Sequence, residues 1–345
     1  MDIAFVLDDD IHYYGAGIKP FVDLSLGLTS LGVNSHLLLK KNLKSTEKEI
    51  REVTKDKTNL IIYRDLDKEI SSLNPEFIMT HDYSMNILKN FTKLKRVVYA
   101  QILFGFNSLN PHNMRNSMKF KVGSFVPWSI LTRPYVNNIN KFDYIIANSE
   151  FTRNLLLHLY NVISNGVVYP PVGTNLREYS DSVKVDDKDG MLIYLGHFPD
   201  YHIRNVFKEI EFIKNNENMT IRVVADTREN INIKGTELYS GLTSEALAHL
   251  YAKSSVTYIP TVNEMFGHVG AESLMFMTPV ILDSYHPFLE FFPTDAVRIS
   301  DSKQTIYEEY KNIIELHPDM KKAKNLVMER YSPIESAKRL MKITG

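Results

Sequence analysis

The sequence contains no cysteine. That absence excludes a disulfide framework, a thiolate metal site and a thiol nucleophile, and makes a reducing cytoplasm the expected setting. No apolar run approaches the roughly 18 residues of a membrane-spanning helix. Met1 leads directly into Asp2-Ile-Ala-Phe-Val-Leu7 without the basic n-region of a signal peptide, so a soluble chain is expected. Acidic side chains are missing from the whole stretch Gln101 to Phe142, which instead carries Arg115, Lys119, Lys121, Arg133 and Lys141 among Phe104, Phe106, Phe120, Phe125 and Trp128. Such a surface suits an anionic partner. The same pattern also fits a solvated basic face over buried aromatics.

At 345 residues the chain exceeds what one hydrophobic core usually serves, so two domains are expected. Its 44% apolar and 23% charged residues match a folded globular protein. The formal net charge of −1 hides an asymmetry: residues 1–172 hold 20 Lys+Arg against 16 Asp+Glu, and the remainder holds 20 against 25.

Short β-rich apolar runs alternate with longer helical patterns, the signature of βαβ units and parallel sheets. Strands are predicted at 3–7, 35–39, 60–63, 77–80, 96–100, 144–147 and 166–169, and a first helix at 19–31 with Gly32 beyond its end. Tyr169-Pro-Pro-Val172 reads as a linker, because two prolines forbid helix and weaken strand. Beyond it the pattern restarts, with strands at 191–195, 220–224, 256–259, 280–282 and 297–299. Two doubly wound sheets facing one another are expected, with ligands at the carboxyl ends of their strands.

The most informative stretch runs from Ile259 through Glu264-Met-Phe266-Gly267 and Ala271-Glu272-Ser273 to Thr278-Pro279-Val280-Ile281. A buried strand there gives way to a polar loop presenting Glu264, and a helix begins near Gly267. Free backbone N–H groups at a helix start form an anion site, and a glycine lets a ligand approach the backbone. Glu272 is expected about two turns into the helix, on the face of Glu264, so that two acids flank one pocket. The bland alternative is a helix-capping Glu264 and a surface Glu272.

This Glu-x7-Glu spacing, with its Glu-x-Phe-Gly and Thr-Pro-Val-Ile surroundings, resembles the signature of the retaining family 4 glycosyltransferases. Further segments agree. Phe142 to Arg153 is similar to the family's strand ending in a serine before a helix, here Ser149, and Val168 to Val172 to its interdomain passage. Glu237 to Tyr251, including Gly241, is similar to the segment that wraps the nucleotide base. Tyr331 to Met341 resembles the helix that returns to the first domain.

The resemblance implies an α/β chain with the GT-B fold, two Rossmann-like doubly wound domains facing across a cleft. Residues 1–172 would form the acceptor-side domain, 173–330 the nucleotide-sugar domain and 331–345 the returning helix. It implies transfer of a hexosyl group from a nucleoside diphosphate sugar, a UDP- or GDP-sugar, to an acceptor hydroxyl with retention and without a metal or other cofactor. Glu272 would bond the ribose hydroxyls, the backbone at Phe266 and Gly267 would touch the donor sugar, and Glu264 would hold a sugar hydroxyl near the reacting centre. An Arg and a Lys usually neutralise the leaving diphosphate in this family. Here His197 stands at the usual arginine and Arg204 where the lysine is expected. Arg204 retains the bidentate clamp, whereas His197 is fully charged only when protonated.

Gly15 and Gly17, between the first strand and first helix, match the family's glycine-rich donor loop. His81, in Thr80-His-Asp-Tyr83, and Gln101 are the acceptor-side candidates, and a structural role for both stays open. Asp8-Asp9-Asp10 has carboxylates that suit a divalent ion, but a metal-binding Asp-x-Asp follows a nucleotide-binding half, so a solvated strand end is expected. The expected partners are the nucleotide sugar and a glycan, lipid-linked or other hydroxyl acceptor, with peripheral membrane contact through the acid-free stretch and no nucleic acid. Two other readings stand beside this one: a non-catalytic nucleotide-sugar or glycan binder, motivated by His197 and Gln101, and a sugar-nucleotide epimerase sharing the architecture.

Overall fold

The computed structural model describes residues 1–7, 18–41, 44–101, 103, 127–183, 185, 187–196, 210–214, 219–225, 235–260, 266–283, 295–300 and 303–345. They divide into two compact units, Met1–Pro171 with Arg330–Gly345, and Val172–Glu329.

The first unit is built on seven parallel strands: β1 (Asp2–Leu7), β2 (Asn34–Lys40), β3 (Asn59–Tyr63), β4 (Phe77–His81), β5 (Lys95–Ala100), β6 (Tyr144–Ala147) and β7 (Gly166–Val167). They lie in the order β3-β2-β1-β4-β5-β6-β7. In β1 and β4 nearly every residue is buried, which is why they read as apolar runs over residues 3–7 and 77–79: strands covered on both faces have no solvent side, and the buried polar residues Thr80 and His81 come only at the end of β4. The described helices are α1 (Lys19–Ser30), α2 (Lys44–Thr54), α3 (Leu66–Leu73), α4 (Trp128–Ile139) and α5 (Glu150–Tyr160). Pro20 occupies the first turn of α1, where its missing N–H costs nothing. Ser149 caps α5, its Oγ accepting from the N–H of Thr152 at 2.9 Å.

The second unit holds β8 (Asp189–Gly196), β9 (Ile221–Ala225), β10 (Thr236–Tyr239), β11 (Ser254–Ile259), β12 (Val280–Asp283) and β13 (Val297–Ser300), all parallel, in the order β10-β9-β8-β11-β12-β13. Helices described in full in this unit include α6 (Ser244–Lys253), α7 (His268–Met275), α8 (Lys303–Leu316) and α9 (Met320–Arg330). Strand β10 is absent from the sequence reading. Its pattern is half-exposed throughout, and its polar residues are held from the side: Glu237 faces the guanidinium of Arg222 at 3.4 Å, and Tyr239 donates to Glu237 at 2.7 Å.

The chain closes with α10 (Pro333–Thr344), which belongs to the first unit. Ser332 caps it by accepting from the N–H of Glu335 at 3.2 Å, and Ala337 and Leu340 join Phe21, Leu24 and Leu28 of α1 in the core above β1. Among the described residues no helix is long and apolar enough to cross a membrane.

Candidate functional site

Both sheets reverse their winding once, between β1 and β4 in the first and between β8 and β11 in the second. In open α/β sheets the ligand crevice lies outside the carboxyl ends of the strands at that reversal. The ends that matter are therefore Leu7 and His81 in one unit, Gly196 and Ile259 in the other.

In the second unit, the element following β11 is α7. Gly267 caps it with φ 90° and ψ 59°, a conformation for which only glycine carries no steric cost. Phe266 before it is buried, its ring edge-on to His268 at 5.0 Å. The helix starts at His268, and Glu272, four residues on, falls a little over one turn along it, not the two turns expected from sequence. Nor is it a surface residue: Glu272 is 5% exposed, and its Oε2 accepts from the hydroxyl of Tyr251 at 3.2 Å.

Tyr251, on α6, is fully buried. Burial, and after it the charge of Glu272, pushes the phenol well above its ordinary range, so it remains a proton donor at any working pH. Helix α7 is fastened beneath by polar pairs: Ser273 Oγ lies 2.7 Å from Thr257 Oγ1 and 2.9 Å from the carbonyl of Thr278.

In the first unit, His81 ends β4 at 1% exposure. Its ring lies between Phe21 at 5.9 Å and Tyr83 at 3.8 Å. Asp82, missed by the sequence reading, is the neighbouring anchor. It accepts from the backbone N–H of Gln101 at 3.2 Å and from the hydroxyl of Tyr135 at 3.0 Å. Burial first, then the Asp82 carboxylate, raises the Tyr135 phenol well above its usual value. Since β4 and β5 are paired with His81 opposite Tyr99, Asp82 holds His81 and Gln101 at adjacent strand ends. The available signal was an acid beside His81 with no cation near it in sequence.

Gly241 sits exposed with φ 59° in the loop between β10 and α6, two residues before Thr243, whose hydroxyl caps α6 by accepting from Ala246 N–H at 3.2 Å. The expected base-wrapping segment is thus an edge strand, a turn and a helix. Gly15, Gly17, His197, Arg204, Glu264, Asp8 to Asp10 and residues 104–126 of the acid-free stretch lie outside the described residues.

No protein-family model and no curated protein matches the sequence. Solved structures do match. Anabaena HepE in complex with UDP-glucose is similar with a TM-score of 0.70 at 12% identity, over 99% of this chain and 98% of that one. The chain has the GT-B fold. Sucrose-phosphate synthase from Thermosynechococcus elongatus is similar over 99% of this chain and 98% of its own, with a TM-score of 0.69 and 12% identity. A UDP-GlcNAc 2-epimerase from Neisseria meningitidis bound to UDP-GlcNAc reaches 0.60 at 13% identity over 99% of both chains. The GT-B fold accounts for the two reversed sheets and for α10 in the first unit.

Proposed function

We propose that the protein transfers a sugar from a uridine diphosphate sugar to an acceptor hydroxyl. The observation that carries this reading is Glu272: a carboxylate held at 5% exposure behind the positive-φ Gly267, on the helix that follows the strand where the second sheet reverses. An ionised carboxylate there accepts two ribose hydroxyls in a strong, directional pair. Uridine is favoured over guanosine because Anabaena HepE and the Neisseria epimerase are complexes with UDP-glucose and UDP-GlcNAc.

In this reading the backbone at Phe266 and Gly267 and the glycines Gly15, Gly17 and Gly241 approach the donor, and Glu264 holds a sugar hydroxyl at the reacting carbon. Arg204 and His197 take up the charge developing on the leaving diphosphate, which calls for preorganised cations and N–H donors. The acceptor, a glycan or lipid-linked hydroxyl, is received beside His81 and Gln101. The transferred group is a hexosyl, configuration is retained, no metal takes part, and the acid-free stretch from Gln101 to Phe142 meets anionic lipid at a cytoplasmic membrane face.

The deciding experiment incubates the protein, with chelator present, against UDP-glucose, UDP-galactose, UDP-GlcNAc and GDP-mannose, and follows released nucleoside diphosphate with Glu264→Ala as control. Release from one donor that disappears in the variant is expected. An inverted product in an NMR time course would remove retention, and co-sedimentation indifferent to anionic lipid would remove the membrane contact.

The epimerase likeness motivates a second reading, disfavoured by its lower TM-score of 0.60 against 0.70. Conversion of UDP-GlcNAc with no acceptor present would select it. Donor binding by calorimetry with no turnover on any acceptor would select the non-catalytic binder.

A further inference from the structure

We infer that Tyr251 is the residue that orients Glu272 for the nucleotide ribose, a positioning role that rests on the reading of Glu272 given above. A carboxylate at 5% exposure is costly unless its oxygens are hydrogen-bonded, and the Tyr251 hydroxyl supplies a donor to Oε2 at 3.2 Å. The two residues sit on different elements, α6 and α7, so the bond fixes the carboxylate against a part of the core it does not share a helix with.

Tyr251 can serve as a fixed point because it is itself immobilised at its ring and at its backbone. Its ring is fully buried and stacks on Phe276 at 5.9 Å with the planes 10° apart. Its backbone carbonyl accepts from Thr278 Oγ1 at 2.7 Å. Thr278 Oγ1 in turn accepts from the Lys188 Nζ at 2.6 Å, and Lys188 also donates to the carbonyl of Phe276 at 3.1 Å. One carboxylate oxygen tied to so rigid a donor stops rotation about the last side-chain bond of Glu272. The plane in which it can accept a pair of hydroxyls is then set before the nucleotide arrives, and groups locked by such outer contacts bind with less ordering cost.

The test compares UDP with 2′-deoxyuridine diphosphate by calorimetry on the wild type, Tyr251→Phe, Glu272→Gln and the double variant. Phenylalanine keeps the ring and its stacking and removes only the donor; circular dichroism and a melting curve check that the fold is kept. The wild type is expected to prefer UDP by about tenfold, and Tyr251→Phe to weaken UDP by about fivefold while leaving the deoxy compound almost unchanged. Added to Glu272→Gln, the Tyr251 change should cost nothing more, because both act on one interaction.

An unchanged preference in Tyr251→Phe, or equal weakening of both nucleotides, would overturn the positioning role while leaving Glu272 in place. A preference that survives Glu272→Gln would remove the ribose assignment, and this inference with it.

Discussion

Gly27 of α1 lies against the backbone of Pro333 in α10: a Cβ built on the glycine would come well inside van der Waals contact with the Pro333 carbonyl oxygen and 3.1 Å from the Cβ of Ala337. Two helices distant in sequence cross there at backbone contact. The crossing pins the C-terminal helix to the first unit through Ala337 and Leu340.

Gly27→Ala is therefore expected to destabilise the first unit. A glycine inside an exposed helix would gain stability on this change, by roughly 1 kcal/mol. Overpacking of a close contact reverses the sign and costs about 1–3 kcal/mol. Thermal unfolding should show a lowered midpoint, and hydrogen exchange should rise in residues 333–344. A raised midpoint would mean that α10 is not held at this contact.

Much of this architecture is legible in the sequence, because the central strands are covered on both faces and read as continuous apolar runs. The limits are equally physical. Gly27 reads only as a weak spot in a helix, since its partner Pro333 is remote in sequence. Strand β10 hides because it is a short, half-exposed edge strand whose residues carry no buried apolar alternation. Glu272 is recognisable by spacing, but its burial is not, because Tyr251 reaches it from another helix, and Asp82 acquires meaning only once Tyr135 arrives from α4.

Arg222 gives a second prediction, one of asymmetry. It is 1% exposed on β9 and reaches Asp189 on β8 at 2.8 Å and Glu237 on β10 at 3.4 Å, while both carboxylates are 49% exposed. Replacing the arginine leaves carboxylates that water can hydrate. Replacing both carboxylates strands a buried guanidinium, and breaking a buried pair that way costs about 3–5 kcal/mol. Arg222→Met should thus lose about 1 kcal/mol or less, well below the loss in the Asp189→Asn, Glu237→Gln double variant. Urea unfolding of the two measures the difference; equal losses would show that the guanidinium is not the buried partner that matters.

Lys188 provides the pH dependence. Burial pushes its ammonium down from the ordinary 10.5 to about 8. Between these values the unfolded chain binds more protons than the folded one, so stability rises with pH. The burial penalty is present in full below about pH 8 and is relieved as the pH climbs toward 10.5. The comparison that isolates this residue is with Lys188→Met. The stability of the wild type relative to that variant should increase from pH 8 to pH 10 in urea midpoints, and a flat difference would contradict it.

Gly267 offers a test of the proposed donor site through its backbone geometry. Its φ of 90° is a value at which a Cβ meets the neighbouring carbonyl, costing roughly 1–2 kcal/mol for an L side chain. Alanine there has two ways out. Either the strain is kept, and the unfolding midpoint falls with the geometry of the proposed site intact, or the peptide turns to relieve it and the N-terminal N–H groups of α7 swing away from the proposed donor position. The second is expected, because the edge-on contact of Phe266 and His268 spans Gly267, and a turn of the peptide between them is the local change that relieves the strain. Gly267→Ala should accordingly weaken UDP by about tenfold in calorimetry with only a small fall in melting temperature. Wild-type affinity with a large fall in melting temperature would assign the glycine to folding alone and take it out of the donor site.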